Sequence, residues 1–248
     1  MSRYRYDAAP SSGAAPLGLL VLQVDETVEM DMRRMLPAEQ PFYVSRVPSG
    51  DEVTPETLRK MKGALTAAAQ LLPQAEQYAA VGYACTSATG EIGAQAVASM
   101  VRAGVATARV TDPLTALRAA CAALGVRRLA LLSPYIAPVS DKLRAALAAG
   151  GIETPLFGSF EEPVERNVVR ISETSIESAA VDLVGSGGVD ALFLSCTNLR
   201  TLPVIDRIEA RTGLPCLSSN QVLAWHMCAR SRVPGTLGRT GGGGQTVT

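Results

Sequence analysis

Two cysteines, Cys85 and Cys196, stand in matching local sequences. Each closes a short apolar run, YAAVGYA before Cys85 and VDALFLS before Cys196, and each is followed by a threonine and further small or polar residues. An apolar run that turns polar at a cysteine is typical of a strand that ends at the edge of a sheet. A thiol at such an edge can act as a nucleophile or as an acid and base. We therefore predict that both cysteines belong to an active site.

The polar neighbours of these cysteines suit the binding of a carboxylate. The neutral hydrogen-bond donors beside the thiols are Thr86, Ser87, Thr197 and Asn198. Helices are predicted after the two cysteines, over 90–103 and 201–212. Their N-terminal N–H groups and partial positive charge are expected to bind an anion and to lower the pKa of each thiol. Two such thiols on opposite sides of a cleft could move a proton between the two faces of a small acid.

The remaining three cysteines lack this setting. Cys121 lies in the helical stretch LRAACAAL, Cys216 in the apolar stretch LPCLSS, and Cys228 near the end of the last predicted helix. We interpret all three as small buried apolar residues, which is what a lone cysteine most often is. The five cysteines include no CxxC pair and no His/Cys ligand spacing. The sequence therefore predicts neither a disulfide framework nor a metal site.

The elements that must position the two cysteines alternate along the chain. Short apolar runs separated by helical stretches recur from LGLLVLQ, which begins at residue 17, to a helix predicted over 220–230. This alternation is typical of parallel sheets with helices on both faces. Ligands of such sheets bind beyond the carboxyl ends of the strands, where both cysteines are predicted to lie. The segment 150–172 is interpreted as a loop.

The likeness between the two Cys-Thr segments indicates two similar α/β lobes. We assign 17–112 together with 220–232 to the first lobe, because the last helix is expected to pack back onto it, and 113–219 to the second. Residues 1–16 are predicted to be a disordered N-terminal segment. The polar, Gly-rich segment 233–248 is predicted to be a disordered tail.

Composition limits the classes of function. The 248 residues carry 23 basic and 23 acidic side chains, with no long block of either sign, and 47% of the residues are hydrophobic. This balance predicts no nucleic-acid partner and no binding to an anionic membrane surface. The sequence contains no uninterrupted run of about 20 apolar residues, so no membrane span is predicted. We expect a cytoplasmic protein that binds a small molecule, and the sequence leaves a homo-oligomer open.

Several segments together resemble one known family. They are YACTSATGEIG with LSCTNLRT, LGVRRLALLSPYIAPVSDKL, DETVEMDM and GLPCLSSNQVLAWH. In this order and spacing they resemble the maleate isomerase and arylmalonate decarboxylase branch of the aspartate/glutamate racemase superfamily, over nearly all of 17–230. The resemblance implies two lobes, each with a four-stranded parallel sheet flanked by helices. It also implies an active site in the cleft between them, with one cysteine from each lobe and no metal or organic cofactor.

The resemblance implies roles for individual residues. Cys85 would be the nucleophile or base and Cys196 its acid partner. Tyr135 in LLSPYI and Asn167 in ERNVVRIS would donate hydrogen bonds to a substrate carboxylate. Without the resemblance, a packed tyrosine and a capping asparagine would be the simpler interpretations of these two. Arylmalonate decarboxylases of this branch have a glycine at the first cysteine position, so Cys85 favours an isomerase.

The segment LQVDETVE departs from the family pattern. Maleate isomerases have an asparagine here, in a PSSN-type turn that contacts a carboxylate, whereas this chain has Gln23 and Asp25, which we predict to bind substrate. A carboxylate that faces a substrate carboxylate is repelled by it. Asp25 therefore either binds an ammonium or polar group of the substrate or caps the helix predicted to begin at Glu26. An amino dicarboxylate or an intermediate of ectoine breakdown would suit the first alternative, since family members for ectoine utilisation are similar at this segment.

These observations support one leading hypothesis and two alternatives. The leading hypothesis is a cofactor-independent isomerase, either of the maleate cis-trans type or a racemase, that acts on a small di- or amino-carboxylic acid. The first alternative is an arylmalonate-type decarboxylase. The second is a protein without catalytic activity that captures a carboxylate ligand.

Overall fold

Two four-stranded parallel sheets organise the chain, as the resemblance implied. The structure, a computed structural model, describes residues 3–8, 13–74 and 77–240. The strands of the first sheet are β1 (Leu17–Leu22), β2 (Phe42–Val47), β3 (Ala80–Ala84) and β4 (Val110–Thr111), in the order β2-β1-β3-β4. Strands β1 and β3 are buried along their whole length. Both faces of these strands are covered, which explains why their sequences are continuous apolar runs.

The second sheet repeats this arrangement. Its strands are β5 (Arg128–Ser133), β6 (Glu153–Ser159), β7 (Ala191–Leu194) and β8 (Cys216–Ser218), in the order β6-β5-β7-β8. The prediction of a loop over 150–172 is wrong, because β6 lies within it. Strand β6 is an edge strand that is nowhere fully buried. It contains Pro155 and Gly158, residues that are depleted from strands but tolerated at an edge, and so it lacks the apolar run of the central strands.

Helices connect the strands in both lobes. Those that precede β5 are α1 (Val28–Met35), α2 (Pro55–Lys60), α3 (Leu65–Gln70), α4 (Thr86–Ile92), α5 (Ala94–Gly104) and α6 (Pro113–Leu124). Those that follow β5 are α7 (Ala137–Ala149), α8 (Glu165–Val168), α9 (Glu173–Val184), α10 (Ile205–Thr212), α11 (Ser219–Met227) and α12 (Gly235–Gly238). The helix predicted over 90–103 begins earlier, at Thr86. It is interrupted at Gly93, whose φ of 92° ends α4 before α5 begins.

The last long helix packs across the chain. Helix α11 contacts β3, β4 and α1, which belong to the first sheet and its surroundings, and it also packs against α6. The grouping of 220–232 with the first lobe was based on an expectation of such packing, and because α11 also contacts α6, it stays a prediction. Cys121, Cys216 and Cys228 are all buried and free, as expected for small apolar residues.

The chain remains ordered beyond α11. Residues 233–240 were predicted to be part of a disordered tail, and this prediction is wrong for them. Helix α12 buries Leu237, and the backbone N–H of Gly235 donates to Asp206 Oδ1 at 2.9 Å. The rest of the predicted tail, 241–248, and part of the predicted N-terminal segment lie outside the described residues. No helix within the described ranges is both long and apolar enough to cross a membrane.

Candidate active site

Cys85 caps the N-terminus of α4. It follows the last residue of β3 and has extended dihedral angles, φ −151° and ψ 108°, which turn the thiol back over the first helical turn. Its Sγ accepts a hydrogen bond from the backbone N–H of Ala88 at 3.4 Å and lies 3.5 Å from the hydroxyl oxygen of Ser87. The thiol thus stands where an apolar strand becomes a helix, as the sequence predicted.

Cys196 reaches the site through a different backbone geometry. It lies in the turn after β7 with a φ of 111°, a value that residues other than glycine rarely adopt. The next helical segment, a short 3₁₀ helix at Leu202–Val204, begins six residues later. The expectation that a helix N-terminus lowers the pKa of this thiol is therefore wrong. Such a conformation costs about 1 to 3 kcal/mol and persists only where the surrounding contacts hold it.

Ser219, at the start of α11, joins the two cysteine turns. Its hydroxyl oxygen accepts the backbone N–H of Cys196 at 3.0 Å and lies 2.8 Å from the hydroxyl oxygen of Thr86, the residue after Cys85. The hydroxyl of Thr197 donates to the carbonyl oxygen of Ala84 at 3.2 Å. The residues that follow both cysteines are therefore hydrogen-bonded across the interface between the two sheets. Ser219 carries no signal of this role in the sequence, although its segment contributed to the family resemblance.

Burial keeps both thiols protonated in this closed arrangement. The side chains of Cys85 and Cys196 are each only 3% exposed. Burial raises the pKa of Cys85 to about 12, although the hydrogen bonds from Ser87 and Ala88 act in the opposite direction. Burial, followed by the nearby Glu165 carboxylate, raises the pKa of Cys196 well above its usual value. The predicted lowering of both thiol pKa values is wrong here, because the desolvation of a thiolate outweighs its hydrogen bonds.

Tyr135 lies beside both thiols, and its implied contact with a substrate carboxylate stays a prediction. The residue follows β5 and is buried, and burial together with the proximity of Cys196 and Cys85 raises the pKa of its phenol. Its hydroxyl hydrogen-bonds to Cys196, which lowers the pKa of that thiol. A neutral phenol in this position can donate to a thiolate or to a substrate carboxylate.

Asp25 binds the backbone just before α1 and keeps one carboxylate oxygen free. The helix begins at Val28 with Thr27 as its N-cap residue, so the predicted start at Glu26 is wrong. The Oδ1 of Asp25 accepts the backbone N–H groups of Thr27 and Val28, both at 2.8 Å, at the start of α1. Its Oδ2 is buried and has no hydrogen-bond partner among the residues that the structure describes. The nearby Thr197 hydroxyl helps to lower the pKa of Asp25, but its proton is directed to the carbonyl oxygen of Ala84. Burial outweighs these contacts and raises the pKa of Asp25.

Asn198 links the start of α1 to a second buried acid. Its Oδ1 accepts the backbone N–H of Glu26 at 2.9 Å, and its Nδ2 donates to Glu165 Oε2 at 2.7 Å. Glu165 is 6% exposed. Burial raises the pKa of Glu165 to about 7, and the charge of Asp25 acts in the same direction. Sequence reasoning missed Glu165, which lies only two residues before the predicted Asn167.

Two predicted binding residues are not brought into this cluster. Gln23 is exposed, and its carbonyl oxygen accepts a hydrogen bond from Arg46 Nη1 at 3.1 Å. Asn167 is exposed on α8, and its backbone N–H donates to the carbonyl oxygen of Val164 at 2.9 Å. Substrate contacts by these two side chains stay predictions. No group of three or more His, Cys, Asp or Glu side chains in the described part of the chain is arranged to hold a metal ion.

Fold and site together define a class of protein with two α/β lobes, each built on a parallel sheet. Each lobe contributes one cysteine to a shared buried site. A family model described as "Arylmalonate decarboxylase" matches residues 52–241. The chain therefore belongs to the arylmalonate decarboxylase family, the branch that the sequence motifs resembled.

Relatives with known names include both isomerases and a decarboxylase. A maleate isomerase from Nocardia farcinica is 30% identical over 218 residues, which cover 84% of this chain and 86% of that protein. An arylmalonate decarboxylase from Bordetella bronchiseptica is 28% identical over 212 residues, which cover 84% and 87%. These relatives support an enzyme of this family.

Solved structures confirm the fold. A Nocardia farcinica maleate cis-trans isomerase, a cysteine-to-serine mutant with a covalently bound succinylcysteine intermediate, superposes with a TM-score of 0.78 at 25% identity. The match covers 92% of this chain and 99% of that one. A cysteine-to-alanine variant of the maleate isomerase Iso from Pseudomonas putida S16, solved with maleate, has 24% identity and a TM-score of 0.79 over 90% of this chain and 97% of that one.

Proposed function

We propose that this protein is a cofactor-independent isomerase or racemase that acts on a small carboxylic acid, with Cys85 and Cys196 as its catalytic residues. The observation that carries the proposal is the pair of buried thiols, one from each lobe, whose turns are hydrogen-bonded to each other through Ser219. Tyr135, Ser87 and the first-turn N–H groups of α4 are the donors available to a substrate carboxylate.

As a racemase, the pair would exchange one proton for another. The Cys85 thiolate removes the proton on the α-carbon, an S–H bond forms, and the electron pair of the C–H bond passes to an enolate. Cys196 then delivers its thiol proton to the opposite face of that carbon. The enzyme is left with a Cys85 thiol and a Cys196 thiolate, so that the next turnover runs in the reverse direction.

As a cis-trans isomerase, the same pair would act by addition and elimination. The Cys85 thiolate adds to one alkene carbon while Cys196 protonates its neighbour, and the single bond that remains can rotate. Cys196 then removes a proton, the double bond re-forms and the Cys85 thiolate leaves. The succinylcysteine intermediate named for the Nocardia farcinica isomerase supports this version.

Decarboxylation is the second candidate, since the family includes an arylmalonate decarboxylase. In that reaction carbon dioxide departs and a single acid, Cys196, protonates the resulting carbanion. Such chemistry leaves no role for the thiol of Cys85, and its presence at the site favours the two-thiol reactions.

A substrate screen by proton NMR in deuterated water tests the proposal. The screen would contain maleate, aspartate, glutamate, 2,4-diaminobutyrate, which covers the substrates suggested by ectoine breakdown, and phenylmalonate. We expect cis-trans conversion or α-proton exchange with at least one of the first four. Turnover of phenylmalonate alone would identify a decarboxylase instead.

Alkylation of the cysteines distinguishes an enzyme from a carboxylate-binding protein without catalytic activity. Iodoacetamide labelling of Cys85 and Cys196, followed by mass spectrometry over a range of pH, reports how readily each thiolate forms. An enzyme is expected to have at least one thiol that becomes reactive and that a ligand protects. Two thiols that stay inert with and without ligand, together with no turnover in the screen, would contradict the proposal.

A further inference from the structure

Asp25 and Glu165 place two carboxyl groups beside the same pair of thiols. Asn198, two residues after Cys196, donates to Glu165 Oε2, and its carbonyl oxygen accepts the hydroxyl of Thr27, whose backbone N–H donates to Asp25 Oδ1. The charges of both acids also raise the pKa of Cys85 and of Cys196. We infer that Asp25 and Glu165 together bind an ammonium group of the substrate and thereby select an amino-bearing carboxylic acid over a plain dicarboxylate. The inference rests on the proposed two-cysteine site and names its substrate class.

Asp112 shows what a purely structural carboxylate looks like in this protein. It caps α6, where its Oδ1 accepts the N–H groups of Leu114 and Thr115 at 2.9 Å and its Oδ2 accepts the hydroxyl of Thr115 at 2.6 Å. Both of its oxygens are therefore satisfied. Asp25 makes the same kind of backbone contacts through Oδ1, yet its Oδ2 is buried without a partner in the described part of the chain. A buried carboxylate oxygen left unpaired is costly unless a ligand occupies it.

The carboxylate of Glu165 is also held in position to bind the ammonium group. The Nδ2 of Asn198 donates to its carboxylate oxygen at 2.7 Å and also to its carbonyl oxygen at 3.3 Å. Asn198 is itself fixed from the other lobe, where the hydroxyl of Thr27 donates to its carbonyl oxygen at 2.9 Å. Asn198, which orients Glu165, therefore also contacts Thr27, whose backbone N–H donates to Asp25, and the two acids are positioned by one network.

The two acids lack a cation among the side chains of the described residues. Arg46 is the basic group that acts on the pKa of Asp25, but its guanidinium donates to backbone carbonyl oxygens, including that of Asp25, and pairs with Glu29 at 3.5 Å. Neither Asp25 nor Glu165 forms an ion pair within the described ranges. Two buried acids without a cation repel each other when both are ionised. A substrate ammonium group would supply the missing positive charge.

A bound ammonium group would also assist the thiols. Because the carboxylates of Asp25 and Glu165 raise both thiol pKa values, a cation between them would offset that effect and ease the formation of a thiolate. The substrate carboxylate would face the hydroxyl donors of Ser87 and Tyr135, which lie beside the thiols. The site thus has an anionic side and a hydrogen-bond-donor side, the polarity of an amino acid.

The competing interpretation is that Glu165 is protonated and donates to a substrate carboxylate, which would admit a dicarboxylate. The Glu165→Gln variant separates the two, because glutamine keeps a neutral donor and loses the charge. Under the inference, Glu165→Gln and Asp25→Asn both weaken the binding of amino acids. Under the competing interpretation, Glu165→Gln leaves the binding of dicarboxylates intact in a site that already prefers them.

The test is equilibrium binding by calorimetry at pH 8 with four probes: aspartate, 2,4-diaminobutyrate, succinate and maleate. We expect the wild-type protein to bind at least one amino acid ten times more tightly than either dicarboxylate. In the Asp25→Asn/Glu165→Gln double variant that ratio is expected to fall at least tenfold. Asp112→Asn is the matched control, which removes a buried helix cap and should leave the ratio unchanged.

Three results would overturn the inference: binding of neither amino acid, dicarboxylates that bind as tightly as both amino acids, or a ratio that the double variant leaves intact. Turnover is measured separately, which keeps this failure distinct from that of the proposed function. If an amino acid binds and this binding requires Asp25 and Glu165, but no assay detects exchange or isomerisation, the proposed enzymatic activity alone would be refuted. Isomerisation of maleate without binding of either amino acid would refute the ammonium site alone.

Discussion

Cys85 and Cys196 reach one site by different means. Cys85 is positioned by its own segment, because an extended residue at the end of β3 caps the helix that follows and receives a hydrogen bond from Ala88. Cys196 has a φ of 111° and depends on residues distant in sequence, since Ser219 binds its N–H and Tyr135 contacts its thiol. A change far from the cysteines should therefore disturb the Cys196 turn more than the Cys85 turn.

The largest effect on stability is expected from Glu165, whose charge follows burial among the influences that raise the pKa of Cys196. Its own pKa is about 7 in the folded protein against 4.5 when unperturbed. Between these values the unfolded chain releases its proton while the folded protein retains it. The free energy of unfolding therefore falls as pH rises from about 4.5 to 7, by about 3 kcal/mol in all, and stays lower above pH 7.

The Glu165→Gln variant should not show this fall in the free energy of unfolding with rising pH. Chemical denaturation of the wild type and the variant at pH 5 and pH 8 measures it, and the difference between the two proteins cancels the other buried acids. Parallel pH profiles of the two proteins would show that Glu165 titrates normally.

Ser219→Ala tests the difference between the Cys85 turn and the Cys196 turn more directly. The change leaves the buried N–H of Cys196 and the hydroxyl of Thr86 without their shared partner, which should cost about 2 kcal/mol of stability. We expect turnover to fall ten- to a hundredfold, while iodoacetamide labelling of Cys85 stays unchanged because its own contacts remain.

Ser45→Ala is the control for Ser219→Ala. Ser45 is buried in β2 and donates to the carbonyl oxygen of Ala68 at 2.7 Å. Its loss should lower stability without an effect on turnover. Equal losses of turnover in both variants would remove the special role of Ser219.

The smallest effect compares glycine with alanine at each cysteine. At position 196, whose φ is 111°, Cys196→Gly should be about 1 kcal/mol more stable than Cys196→Ala, because alanine is strained there. At the extended position 85, with a φ of −151°, Cys85→Gly should instead be less stable than Cys85→Ala. Melting temperatures of the four variants measure both differences, each expected to be about 2 to 4 °C. The same sign at both positions would mean that the Cys196 turn relaxes.

These contrasts explain how far sequence reasoning could go. Local patterns predicted the central strands and the Cys85 turn, because an apolar strand that runs into a helix cap is encoded by adjacent residues. Strand β6 was missed since an edge strand needs no continuous apolar run. Glu165 and Ser219 were missed because their contacts join residues far apart in the chain. The resemblance pointed to the segment near Asn167 but could not show that Glu165 is the acidic side chain of α8 that is buried.

The joint action of the two thiols is tested by Cys85→Ser and Cys196→Ser, assayed side by side on the substrate with the strongest signal in the NMR screen. Serine is a far weaker acid and nucleophile than cysteine, so each change should reduce turnover at least a thousandfold. Cys121→Ser, at a buried cysteine of α6, should leave turnover near that of the wild type. Near-wild-type turnover by Cys85→Ser would contradict a two-thiol mechanism and would leave Cys196 as the single acid of a decarboxylase.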